Sequence, residues 1–403
     1  MHNISNILQK TKKILIKHIL LLNTVLISFV FISSTYLFYK QLTVRLGASQ
    51  YKSDLLMHLK FGIEGKSDYS LMLKILGTLW HITQSRVVIA IFLGLIVTAT
   101  VFALSFYIKK VIEYLFNRVI GIKCFIPFAF FSIFLGSIYI PFLSPIIAEK
   151  KRVYHLISAQ VWHNSTYLAM RLIAPLVLVA FYAFYKKREV KIRDWLVFTI
   201  LLSITNATKP SFFIAFAPSV LVVLIYGFIK SKGKNLVFSL KIGIAVICSM
   251  PIMFYQSYMS FGEPNTGVKF SLAIIKEMLL NTHSYFWVLA NLAVPLLILI
   301  YSIKAKEINR IYIFGWLMFL VGWLESLFIV EIGLRADHGN FAWQNPLTAL
   351  FLYIVSAINL VNMYKKNKIS KKAYLSILVL LSLNVICGMV YYLDLLQGYT
   401  YLN

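Results

Sequence analysis

Two stretches of this chain hold residue types that could do acid–base or ion-pairing work at useful spacing. The first is Tyr51-Lys52-Ser53-Asp54-Leu55-Leu56-Met57-His58-Leu59-Lys60, where a carboxylate stands four residues ahead of an imidazole. In a helix capped at Ser53, Asp54 and His58 share one face, which is what a proton-transfer pair or a shared substrate contact requires. The plainer reading makes Asp54 a cap and His58 a solvated side chain. The second stretch begins at Glu325 and runs through Glu331, Arg335, Asp337, His338 and Asn340 to Trp343. Gly333 and Gly339 let the backbone approach a ligand closely, and Arg335 offers a guanidinium fork of the kind that grips phosphate. Its plainer reading is a polar hairpin with an internal ion pair.

Two shorter segments add polar groups. Trp162-His163-Asn164-Ser165-Thr166 precedes an apolar run that contains Arg171, and Thr205-Asn206-Ala207-Thr208-Lys209-Pro210-Ser211 interrupts another. Lys209 can present a point charge to an anion, and His163 can bind substrate. Snorkelling and helix breaking account for Arg171 and Lys209 without any ligand. Asp54 with His58 could also hold a divalent cation, although two ligands do not define a metal site.

These residues need a scaffold, and the composition says which kind. Of 403 residues 60% are hydrophobic and 13% charged, against roughly 25% charged in a soluble domain. The chain therefore reads as one integral-membrane domain, residues 1–403, with no polar block long enough to fold separately. About 20 apolar residues cross a bilayer core. Eleven all-α spans are predicted, near 18–38, 87–108, 124–142, 166–185, 194–208, 211–229, 236–256, 284–303, 311–330, 346–364 and 373–393. The fifth is the weakest, because Ser203 to Thr208 is polar and Lys209-Pro210 ends it early; a re-entrant half-helix is its alternative. The basic start, His2 to Lys17, precedes an apolar stretch too long for a signal peptide and is read as a retained first span.

Forty Lys+Arg against 14 Asp+Glu give a net charge of +26. In a soluble protein that balance would suggest nucleic acid, but here the bases cluster between spans, including Lys109-Lys110, Lys186 to Arg193, Lys230 to Lys234 and Lys365 to Lys372. That is the pattern of cytoplasmic loops, so no nucleic-acid partner is expected and the topology reads N-in/C-out. Most acidic residues and histidines then fall on the opposite face, in the longer loops 39–86, 143–165, 257–283 and 331–345. Within loop 39–86, Tyr69 to Gln84 is too short and polar to span and suits a helix lying in the interface. The extracytoplasmic polar loop 331–345 faces the same side. Cys124, Cys248 and Cys387 form no CxxC or metal spacing, and no Walker or GxGxxG pattern is present.

A long first outer loop with interfacial helices and an acidic residue soon after the first span, here Asp54 in SDLLMH, resembles the GT-C superfamily of membrane glycosyltransferases. These include the protein mannosyltransferase-like and arabinosyltransferase-like enzymes, and the segment EIGLRADHGNFAW looks like one from uncharacterised bacterial membrane proteins of that kind. The resemblance implies a polyprenyl-phosphate-linked sugar as donor and a glycan, lipid or protein as acceptor, on the outer face of a bacterial plasma membrane. Asp54 would be the general base, with Arg335 or Lys209 near the donor phosphate. The chain departs from the pattern in having no paired-acid DxD or ExD in the loop and no soluble C-terminal domain. The rival expectations are a Wzy-like polysaccharide polymerase or ligase, and a transporter or flippase for a lipid-linked or anionic substrate.

Overall fold

A computed structural model of the chain describes residues 2–45, 50–65, 70–117, 119–136, 161–187, 189–262, 264–280, 282–333 and 340–399. Among these residues eight helices are long and apolar enough to cross a membrane, which makes the chain a multi-pass membrane protein. The helices are α1 (His2–Thr43), α2 (Leu55–Glu64), α3 (Leu71–Thr83), α4 (Arg86–Phe116), α5 (Ile126–Ser132), α6 (Ser165–Lys187), α7 (Ile192–Thr208), α8 (Ser211–Lys230), α9 (Leu236–Phe261), α10 (Ala273–Leu280), α11 (Thr282–Lys304), α12 (Arg310–Phe328), α13 (Gln344–Lys365) and α14 (Lys371–Leu396). The eight spans lie on α1, α4, α6, α8, α9, α12, α13 and α14. Three of the eleven expected spans fall short of that length among the described residues: α5, α7 and the described apolar part of α11 from Val288 to Lys304.

Burial sorts the helices into an inner and an outer set. The span ending in α13 has 89% of its apolar window buried, whereas α1 and α14 have 17% each. On α1 the exposed side chains include Leu21, Val25 and Ile32, and on α9 Ile244 and Ile247. Large aliphatics exposed along whole helices suit hydrocarbon, not water. Inside, α13 carries Thr348, Ser356 and Asn359 fully buried, so the central helix is the polar one. Small residues allow close packing around it: Gly315 of α12 meets Val355, and Gly322 meets Gln344 and Ala215.

The contacts at the two ends of the bundle are distinct. At one end Lys186 donates to Asn117, Lys366 pairs with Glu307, and Arg310 lies over Tyr185. The opposite end gathers the segments that hold Asp54, His58, Lys209 and Glu331. There Ser70 donates to the Thr208 carbonyl at 3.1 Å and Tyr51 NH donates to Gly398 O at 3.0 Å. Two four-residue strands also pair there: β1 (Gly267–Phe270) runs antiparallel to β2 (Ile329–Ile332), with Gly267 opposite Ile332. This ladder was not expected from the sequence. It ties the connection after α9 to the segment after α12.

The loop after α1 folds as the expected pair of short helices. Leu55 and Leu59 bury one face of α2, while Met72, Leu73 and Leu76 bury one face of α3. The i, i+4 spacing puts each set on a single stripe. The helices touch at Gly62 and Gly77, where a Cβ on Gly77 would lie 2.5 Å from the carbonyl carbon of Gly62. Only glycine fits at this crossing.

Candidate functional site

The start of α2 differs in detail from the Ser53-capped helix read from sequence. The helix begins at Leu55 with Asp54 at the cap position, and the Asp54 side chain makes no capping bond. Ser53 Oγ instead accepts from Leu55 NH at 3.3 Å. The Asp54 carboxylate is left to face outward from the turn, where Asn164 Nδ2 donates to its Oδ2 at 3.2 Å. One turn on, His58 sits on the same face as expected, and its Nδ1 lies 2.8 Å from Ser165 Oγ. The imidazole is therefore held rather than solvated. Burial pushes the His58 pKa down to about 4 and Lys209 pushes the same way, while Asp54 opposes both. At neutral pH His58 is an uncharged imidazole.

Asn164 and Ser165 start α6. Asn164 Oδ1 accepts from Tyr167 NH at 3.0 Å and from Thr166 Oγ1 at 2.6 Å, so the side chain caps the helix while its amide NH2 is turned to Asp54. Asn164, Ser165 and Thr166 are all buried.

Lys209 comes to this place from a third direction. α7 has 17 residues, a length of about 26 Å at 1.5 Å per residue. A hydrocarbon core is roughly 30 Å thick, so the break at Lys209-Pro210 falls short of a full crossing and leaves Lys209 recessed. Its Nζ lies 4.9 Å from the centre of the Trp343 ring, and Trp343 in turn packs against Tyr167 at 5.5 Å. Burial lowers the Lys209 pKa to about 8, with Asp54 and then Glu331 holding it up. The ammonium thus has two carboxylates within electrostatic reach, one on the first loop and one on β2.

Glu331 is 6% exposed and accepts from Asn340 twice, from NH at 3.0 Å and from Nδ2 at 2.9 Å. These two members of the polar loop meet each other. Arg335, Asp337 and His338 lie outside the described residues, as does His155.

Two other candidates stand apart from the Asp54 group. His163 Nε2 lies 3.1 Å from the Tyr391 hydroxyl and is buried against α14. Glu325 shares a face of α12 with the buried Phe314 and Met318, eleven and seven residues earlier, and so faces the bundle interior. Its Oε2 is buried without a hydrogen-bond partner among the described residues. A carboxylate at that depth is costly unless it meets a proton, a cation or a ligand. Arg171 also faces inward: it donates to the carbonyls of Ser132 and Ile133 at 3.3 and 2.9 Å and so caps the end of α5.

The donor set does not suit a bound divalent cation. Among the described residues no three His, Cys, Asp or Glu side chains gather as metal ligands, and the Lys209 ammonium is close enough to shift His58. What the arrangement offers is a carboxylate, a neutral imidazole and a recessed ammonium beside two aromatic faces. That set can take a proton from a hydroxyl and accept a phosphate. Asn164, Ser165 and Tyr167 are the partners that sequence reasoning did not assign a role. An Asn just before an apolar run is a helix-start signal, and it marks Asn164 as a cap. Compared with known proteins, the chain matches no family model and no curated sequence.

Proposed function

We propose that this protein is a glycosyltransferase that moves a sugar from a polyprenyl-phosphate donor to a cell-envelope acceptor, with its site on the outer face of a bacterial plasma membrane. The orientation follows from the basic clusters, which put the N-terminus inside, and the full reading has eleven spans with the C-terminus outside. The observation that carries the proposal is that Lys209 stands within electrostatic reach of Asp54 and His58, residues more than 150 positions earlier in the chain, at the bundle end opposite the basic loops. Asp54 takes the proton of the acceptor hydroxyl as its oxygen bonds to the anomeric carbon. The bond from that carbon to the phosphate oxygen breaks, and the lipid phosphate leaves with the electron pair. Lys209 and, by its residue type, Arg335 balance the departing charge.

The test is transfer of radiolabelled sugar from polyprenyl-phosphate donors in membranes with wild type, Asp54→Asn and Lys209→Met at matched levels. Asp54→Asn is expected to lose at least ~100-fold in turnover while still binding donor, in line with general-base contributions. Full activity in Asp54→Asn, or no transfer from any donor by wild type, overturns the proposal. Glu325, whose Oε2 is buried with no partner among the described residues, favours a second reading, a transporter or flippase for a lipid-linked or anionic substrate. Uptake by wild type that Glu325→Gln abolishes and Asp54→Asn spares would select it.

A further inference from the structure

The Asn164-Ser165-Thr166 start of α6 touches both members of the α2 pair, each through a different side chain. Asn164 Nδ2 donates to Asp54 Oδ2 at 3.2 Å, and Ser165 Oγ lies 2.8 Å from His58 Nδ1. The amide of Asn164 cannot turn over, because its Oδ1 is engaged by Thr166 Oγ1 and Tyr167 NH. Its donor end is therefore the end that faces Asp54. Ser165 is fully buried and His163 to Thr166 are all buried, so the α6 side of both bonds is shielded from water, while Asp54 and His58 are half-buried. Three consecutive residues thus form a rigid edge against which the Asp54–His58 turn is registered.

We propose that Asn164 and Ser165 are positioning residues. Asn164 fixes the rotamer of the Asp54 carboxylate, and Ser165 pins the His58 ring by Nδ1 in one orientation and one environment, leaving Nε2 as the nitrogen turned to substrate. The proposal rests on the glycosyltransferase reading for its catalytic consequence, but the state of His58 can be observed with no substrate present. The charged groups that act on His58 are Asp54, from its own helix, and Lys209, from the turn between α7 and α8. Neither is removed by the variants below. A helix start that served only as a scaffold would hold α6 in place without influencing the ring.

The experiment uses full-length protein in detergent with 15N-labelled histidine, the His58 signal being assigned by its loss in His58→Gln. Wild type is expected to show a single set of His58 ring-nitrogen signals between pH 5.5 and 8. Ser165→Ala should show more than one set, with a roughly 10–100-fold drop in kcat, as is typical when a residue that orients a reacting group is lost. Asn164→Ser keeps a helix cap, because a serine oxygen still accepts from Tyr167 NH, but has no amide to offer Asp54. It should lose kcat by a similar factor with unchanged melting temperature and little change in donor KM. A single set of His58 signals in Ser165→Ala overturns the role given to Ser165, and wild-type kcat in Asn164→Ser overturns that given to Asn164. If wild type transfers no sugar, the functional reading fails while the His58 signals still decide the role of the Ser165 bond.

Discussion

Lys209 gives the sharpest prediction, because its charge depends on pH within the working range. Burial lowers its pKa to about 8. A group with that pKa is about 90% protonated at pH 7 and about 10% protonated at pH 9. If the ammonium binds the donor phosphate, kcat/KM for donor should be level up to about pH 7.5, bend near 8 and fall roughly tenfold per unit above it. The sign follows from the lowered pKa: the charge is present below 8 and lost above. Because kcat/KM reports the free enzyme, the bend reads the ammonium before the donor's own charge stabilises it. Lys209→Arg keeps a positive charge throughout and should remove the bend, while Lys209→Met should be slow at every pH. Glu331 is one of the two carboxylates that hold the Lys209 pKa up, so Glu331→Gln should move the bend to lower pH. The assay is initial-rate transfer at subsaturating donor from pH 6 to 9.5. A level profile in wild type, or an unchanged bend in Lys209→Arg, would refute the assignment of Lys209 to the phosphate.

Two further outcomes follow from packing and burial. Gly77→Ala should lower the melting temperature in detergent, with a cost of about 1–3 kcal/mol for overpacking, since the new Cβ would run into the Gly62 carbonyl oxygen and lie 2.5 Å from its carbonyl carbon; an unchanged melting temperature would show that α2 and α3 do not hold that crossing. Acid should weaken the fold through His58. The folded imidazole takes a proton only near pH 4 whereas an unfolded one does so near 6.5. Its contribution is then complete above 6.5 and lost as pH falls toward 4. Melting curves between pH 7 and 4.5 should therefore be flatter for His58→Gln than for wild type; parallel curves would count against a buried neutral His58.

The spans were legible in the sequence because hydropathy is a local property. α4, α6, α8, α9, α12, α13 and α14 begin or end within a few residues of where apolar runs stop. The break at Lys209-Pro210 was legible for the same reason, since a proline after a polar run ends a helix. The β1–β2 ladder was not, because GVKF and IVEI are too short to carry a period and their pairing joins positions about 60 residues apart. At the site, Asp54, His58 and Lys209 were chosen by type and spacing. Their partners were hidden for a different reason: Asn164 touches Asp54 only because α6 packs beside the α2–α3 pair, a contact that no window of sequence contains. His163, picked out with equal reason, turns instead to Tyr391. Residue type suggested who could take part, and packing decided who did.

The central helix also bears on how the protein is made. α13 carries Gln344, Asn345, Asn359 and Asn362 into the bundle interior, a burden that disfavours insertion of a lone segment from the translocon. The partners of these side chains lie on or just after α11 and α12: Ser302 and Glu307 for Asn359, Glu307 for Asn362, Gly322 for Gln344 and Ser326 for Asn345. All of them leave the ribosome before α13 does. The order of synthesis thus supplies hydrogen-bond partners ahead of need, since the helix with the buried amides is made after the segments that carry their partners.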